Sequence, residues 1–237
     1  MYASSTCLGS NRILAALPTD SYQKLKPYLT PVELTHGMVL HELGEPIEYV
    51  YFPIDAVISL VIPMEDGSTV EVGLVGNDGM SGTIALVGEE TATYRALVQI
   101  PDFAMRAPLA VIKEEFSRRG EFQNLLLRYM LAHLKEIEQT AACNATHSVE
   151  ERLARWLLMC RERVQTDELK LTEGIISKIF STRQATVGAA ATPLLAEGLI
   201  EYHRGRIRII DRRGLEEFSC KCYRAVKEKS DHLHDQF

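Results

Sequence analysis

Between Glu121 and Ala142 the chain contains neither glycine nor proline, and Leu125, Leu126, Tyr129, Met130, Ala132, His133, Ile137 and Thr140 recur at steps of three and four. That period predicts one long helix. At about 1.5 Å per residue it would run on the order of 30 Å, the width of a small domain, so the rest of the chain has to be arranged along it. Its apolar arc is too wide for a single contact. One seam runs through Leu126, Met130, His133, Ile137 and Thr140, and Leu127, Leu131 and Leu134 lie beside it. A helix with two apolar faces can pack on its own domain and on a second copy of itself, the way coiled-coil dimers are built. The expected homodimer seam is the first of the two; the alternative is that both faces are buried within one chain.

The texture on either side of this helix differs. Upstream, Asp20–Leu25 reads as a short capped helix, and glycine-punctuated strands follow at Met38–Leu40, Tyr49–Phe52, Ala56–Met64, Thr69–Val75, Arg95–Ile100 and Phe103–Arg106. Asp66-Gly67 between two apolar runs is a hairpin signal, because a primed turn needs positive φ and glycine adopts it without a Cβ clash. Short strands at this spacing predict a sandwich or barrel. Downstream of the hinge Cys143-Asn144-Ala145-Thr146, Ser148 and Glu151 have capping-box spacing, and a second helix runs to about Val164 with Leu153, Trp156, Leu157 and Cys160 on its apolar face.

With 46% hydrophobic and 24% charged residues in 237, the chain has the composition of ordinary globular protein of one or two domains. It has no apolar run near the roughly 18 residues of a membrane span, and no basic flank with an apolar core at its start, so a cytoplasmic protein without a membrane partner is expected. Five scattered cysteines argue against a disulfide scaffold and fit a reducing compartment. The net charge of −6 is uneven: Glu151 to Arg213 holds 12 basic against 8 acidic residues, which leaves −10 for the rest. A basic segment on an acidic body fits a polyanion-binding part joined to one that must not stick to polyanions.

Leu171 to Ala190 lies inside that basic segment and reads as helix, turn, helix. Thr172 can cap a helix burying Ile175, Ile176 and Ile179, and Thr182 can cap a second one after a turn at Ser181-Thr182. The second helix opens with Arg183, Gln184 and Thr186, all able to hydrogen-bond. Gly188, Ala189, Ala190 and Ala191 follow and are small enough for close approach to DNA. Such a helix enters the major groove N-terminus first. From Gly198 to Ile210 a hairpin pattern follows in which Ile207 and Ile209 point one way, leaving Arg206 and Arg208 on the other face with Arg204 at the tip. The expected DNA-binding residues are Thr172, Thr182, Arg183, Gln184, Thr186, Arg204, Arg206 and Arg208.

A β-rich half, a long helix and a winged helix-turn-helix, in that order, resemble the Crp/Fnr superfamily of bacterial transcription regulators. The resemblance is carried by residues 46–53, 70–76, 78–82, Ser148–Ala154, Thr182–Val187 and Gly198–Ile200. It implies an α+β fold with a cyclic-nucleotide-binding-like β roll over residues 1–120, a dimerisation helix and hinge over 121–146, and a winged helix-turn-helix over 147–237. It also implies a homodimer on double-stranded DNA at an inverted-repeat operator, with RNA polymerase as a further partner of an activator.

Cyclic-nucleotide-binding members carry a Glu that grips the ribose and, about ten residues on, an Arg that holds the phosphate. Here Gly82 is followed by Thr83 at the place of the Glu, and Tyr94 stands at that of the Arg, with Arg95 one residue further and so on the opposite strand face. Gly82, Thr83, Tyr94 and Arg95 are the effector-pocket candidates, and the two strongest polar contacts of a cyclic nucleotide are missing. A regulator not controlled by cyclic AMP is expected, its effector unidentified. The alternatives are a cyclic-nucleotide-responsive regulator with a non-standard pocket and a protein-interaction module using the winged helix. Cys7 alone cannot supply an iron–sulfur cluster. Cys220-Lys221-Cys222 offers half a metal site at most, His232 and His234 lie in a polar tail, and no metal or cofactor is expected. With no Gly-x-Ser-x-Gly, His-Glu-x-x-His or phosphate-binding loop, an enzyme is not expected either.

Overall fold

The computed structural model describes residues 11–88, 90–171 and 184–234. Two short helices, α1 (Arg12–Ala15) and α2 (Thr19–Leu25), lead into strands β1 (Thr30–Leu34), β2 (Val39–His41), β3 (Tyr49–Pro53), β4 (Val57–Pro63) and β5 (Thr69–Val75). A 3-10 turn at Thr83–Leu86 precedes β6 (Arg95–Ile100) and β7 (Asp102–Pro108). All pairings are antiparallel, in a four-stranded sheet β2-β6-β4-β5 and a three-stranded sheet β1-β7-β3. The expected hairpin joins β4 to β5, with Thr69 paired with Pro63, but not through a two-residue primed turn: Gly67 at φ +81 closes a longer loop in which its N–H donates to Met64 O at 3.0 Å. β1 was not expected: it carries Pro31 and alternates weakly, and it is held by β7 rather than by its own pattern.

The strand period decides what each sheet face does. Tyr51 and Ala104 of the three-stranded sheet turn inward onto Ile58, Leu60 and Val98 of the other sheet. Phe52 and Met105, one residue on, turn outward and pack under α3 (Leu109–Ser117) and α4 (Glu121–Thr146), against Ile112, Phe122, Leu125 and Leu126. Each such fully buried side chain stabilises the fold by about 1.5–3 kcal/mol.

α5 (Val149–Val164) starts in the expected capping box: Ser148 Oγ accepts from the Glu151 N–H at 3.2 Å, and the Glu151 carboxylate accepts from the Ser148 N–H at 3.0 Å. Next come β8 (Glu168–Leu169), α6 (Gln184–Ala196), β9 (Ile200–His203), β10 (Arg206–Ile209), α7 (Arg212–Phe218) and α8 (Cys222–His234). α6 ends in a Schellman motif. Gly198 takes φ +68, its N–H donates to Leu195 O, and the Leu199 N–H donates to Leu194 O, which turns the chain directly into β9. Leu153, Leu157, Leu194, Leu199, Ile207 and Leu215 form the core of this half, and Val57, Leu74 and Ile100 of the β half join the same cluster.

Candidate functional site

The wing follows from two local rules. Strand alternation buries Ile207 and Ile209 and exposes Arg206 and Arg208, as the hairpin pattern predicts. The two-residue loop Arg204-Gly205 takes positive φ at both positions, +49 and +77, which is the primed turn that matches strand twist and puts Arg204 at the exposed tip. The outer face is not purely basic, however. Arg208 pairs in register with Glu201 on one side and Glu168 on the other, and Arg206 forms an ion pair with the Glu168 carboxylate.

Of the other expected DNA contacts, Gln184 and Thr186 lie in the first turns of α6. Thr172, Thr182 and Arg183 lie outside the described residues.

In the β half, Gly82 takes φ +90 and starts the 3-10 turn that buries Thr83. The Tyr94 hydroxyl bonds the Gly82 backbone, and burial pushes its phenol up to about 12. A Cβ on Gly82 would lie 3.2 Å from Val50 Cγ1 and 3.4 Å from His41 Nε2, and His41 packs edge-on against Tyr51. Burial lowers the His41 imidazole to about 4, so that it is neutral. Arg95 is spoken for: its Nε donates to both Glu42 carboxylate oxygens, at 2.9 and 3.0 Å. The four effector-pocket candidates therefore divide, with Gly82, Thr83 and Tyr94 together and Arg95 tied to Glu42.

The seam of α4 expected at a dimer interface faces the interior of its own chain instead. Leu126, His133 and Thr140 are buried within the chain and Met130 and Ile137 half-buried. His133 and Ile137 lie 3.1 and 3.2 Å from where a Cβ on Gly73 would stand, and Thr140 Oγ1 accepts from Arg155 at 2.9 Å. The outward seam is Leu127, Leu131 and Leu134, which are 45%, 52% and 51% exposed, continued by exposed Ala141 and Ala145.

Sequence reasoning missed a polar layer where the β half meets α4 and α5. Arg163 donates to Glu136 at 2.8 Å and pairs with Asp78 at 3.1 Å. Burial opposes its charge, but Asp78 and Glu136 more than offset that and hold the guanidinium above its ordinary value. Beside it, Glu71 Oε1 accepts from the Trp156 indole at 2.8 Å and Oε2 from the Ser59 hydroxyl at 2.5 Å. Gly76 and Gly79 open the way for these contacts, since a Cβ on Gly76 would run into the Arg163 stem and one on Gly79 into the Tyr129 ring. Gly73, Gly76 and Gly79 thus serve helix packing, and a run of four glycines spaced by three, from Gly73 in β5 to Gly82, was the available signal.

A second grouping was also missed. Cys143 and His147, at the end of α4, join Cys220 and Cys222 in one cluster, so the Cys220-Lys221-Cys222 pair does not stand alone. Cysteine and histidine four apart at a helix end was the signal in the sequence.

Comparison with known proteins matches residues 151–218 to the Crp-like helix-turn-helix domain. Comparison with curated proteins finds no match. Among solved structures, FixK2 from Bradyrhizobium japonicum superposes with a TM-score of 0.69 at 16% identity, over 81% of this chain and 98% of that one. A CRP-family transcriptional regulator from Thermus thermophilus gives 0.63 at 18% identity, over 79% and 96%. The c-di-GMP-responsive regulator CLP of Xanthomonas campestris gives 0.64 at 13% identity, over 82% and 100%. Residues 151–218 therefore match a Crp-like helix-turn-helix domain, and the chain shares its fold with solved regulators described as Crp-family.

Proposed function

We propose that the chain is a homodimeric, sequence-specific DNA-binding transcription regulator of the cytoplasm, in which α6 reads the major groove and the wing anchors on phosphates. The observation that carries this is the Crp-like helix-turn-helix domain with its arginine-tipped wing. In this reading Gln184 and Thr186, in the first turns of α6, and Arg183 before them in the sequence contact base edges, while Arg204, Arg206 and Arg208 of the wing contact the phosphate backbone. The dimer forms along α4 through Leu127, Leu131 and Leu134, whose exposure on one helix face is otherwise a cost in water.

Cyclic AMP is not the effector. Thr83 is buried and uncharged, Tyr94 bonds the Gly82 backbone with its hydroxyl, and Arg95 is committed to Glu42, so neither ribose nor phosphate finds its usual partner. A solved relative by fold is described as responsive to c-di-GMP, which is a precedent for this fold with another effector. Two measurements test the reading. DNA affinity followed over a salt series should fall steeply with salt, as phosphate binding requires; salt-insensitive binding, or none, would favour a protein-interaction module. Calorimetry with cyclic AMP should give no heat, and micromolar binding with a gain in DNA affinity would overturn the second part.

A further inference from the structure

Three thiols and an imidazole converge where the long helix ends and the C-terminal helix begins. Cys143 lies in the last turn of α4 and His147 caps its end; Cys220 follows α7, and Cys222 opens α8. Their ligand atoms all lie within 4.8 Å of one another, with Cys143 Sγ 3.5 Å from Cys220 Sγ and Cys222 Sγ 3.7 Å from His147 Nδ1. With Zn–S bonds of about 2.3 Å and Zn–N of about 2.0 Å, the corners of a zinc tetrahedron are about 3.3–3.8 Å apart. The donors are thus spaced around one ion, closer than an iron–sulfur cluster, with its own sulfides between the irons and the cysteines, would set them.

We propose that Cys143, His147, Cys220 and Cys222 bind one zinc ion as a closed Cys3His site. Three soft thiolates with one imidazole in tetrahedral array select zinc among the divalent ions, and four protein ligands leave no open position, so the site is structural. The surroundings suit a site of net charge −1. Gln139 Nε2 donates to Cys222 Sγ at 3.0 Å, and Arg152 and Arg155 both bear electrostatically on Cys143. On binding, each thiol gives its proton to solvent, and no oxidation state changes. His147 Nδ1 exchanges its 3.2 Å contact with the Thr146 hydroxyl for the metal, and Thr146 keeps its 2.8 Å bond to Ala142 O. The ion staples the end of α4 to the segment that closes the helix-turn-helix half, fixing the hinge from both sides. The ion's binding stands apart from the DNA-binding reading.

The test is metal analysis and cobalt substitution on the reduced full chain. Protein purified without chelator should carry one zinc per chain. After stripping, Co2+ should give thiolate-to-cobalt charge transfer with the intense visible bands of a tetrahedral ion. Cys222→Ser and His147→Ala should each weaken metal binding by more than about tenfold and alter those bands, whereas Cys160→Ala, which removes a buried thiol outside the cluster, should keep them. Circular dichroism of each variant separates loss of metal from loss of fold. Reduced, folded protein that gives no charge-transfer band, a band unchanged in both Cys222→Ser and His147→Ala, or a Cys143–Cys220 disulfide as the only chemistry of the cluster would overturn the proposal.

Discussion

Trp156, in the first helix after the hinge, donates its indole N–H across 2.8 Å to Glu71, in the β5 strand of the β4–β5 hairpin. This bond is one of several polar links between the two halves of the chain, beside the Arg163–Asp78 pair, and it falls on a buried carboxyl group. Burial pushes Glu71 up to about 7 from its ordinary 4.5, although the Ser59 hydroxyl, the Trp156 indole and the charge of Arg155 all pull it down; Glu136 adds to the rise. The folded chain therefore holds this proton more tightly than the unfolded one. Its stabilising contribution is full below about pH 4.5, shrinks as pH rises, and is lost above about 7. Glu71→Gln keeps an acceptor for Trp156 and cannot ionise. Between pH 5 and 8 the wild type should lose stability relative to this variant by about 1–3 kcal/mol, seen in thermal melts of both. His41 and His133 also titrate abnormally, their pKa values lowered by burial, but they are common to both proteins and cancel in the difference. Parallel melting curves would contradict the account.

Close packing between the halves predicts a second outcome. Gly79→Ala forces a methyl group into the buried Tyr129 ring, whose hydroxyl donates to Met80 O at 3.5 Å. The expected cost is about 1–3 kcal/mol in denaturant unfolding. Gly120→Ala, where a Cβ meets nothing within 4 Å, should leave the unfolding midpoint nearly unchanged.

The two seams of α4 should fail in different ways. Leu131→Asp places a charge on the outward seam; sedimentation should show monomer, and DNA affinity should fall by more than about tenfold because an unpaired charge cannot be buried between two copies. Leu126→Ala removes an inward side chain and should cost about 2–5 kcal/mol of stability with association unchanged. A Leu131→Asp protein that stays dimeric would remove this face from the interface.

Wing mutations should weaken all DNA sequences alike. Arg204→Ala and Arg208→Ala should each lower the salt slope by about one for every phosphate that is no longer neutralised. Arg206 is already paired with Glu168, so its loss should cost less, and Glu168→Gln should strengthen non-specific binding by freeing it. Nitrocellulose or anisotropy titrations on a selected site and on scrambled duplex, over a salt series, measure all four proteins. A change of sequence preference in any of them would assign base reading to the wing.

What the sequence made legible was local. The capping box at Ser148, the Asp66-Gly67 hairpin and the alternation of the wing each depend on neighbours within a few residues, and each is in place. β1 was not legible because Pro31 and Glu33 break the strand pattern and only pairing with β7 supplies it. On α4 both stripes are apolar, and what selects the inward one is Gly73 and Arg155, far away along the chain. The cysteine cluster was hidden for the same reason, since Cys143 and Cys220 are 77 residues apart and meet only through the packing of α8 on α4. Glu71 reads as one more polar strand position until Trp156 is seen to reach it.

The central claim, a dimer that reads DNA through α6, is tested most directly by selecting binding sites from a random pool of duplexes and then measuring Gln184→Ala on the selected site. The account predicts enriched inverted repeats with half-sites about one helical turn, roughly 34 Å, apart. It also predicts that Gln184→Ala loses about 1–3 kcal/mol on that site and relaxes preference at one base pair in each half. No enrichment, or an enriched site without two-fold symmetry to which Gln184→Ala binds as wild type does, would contradict it.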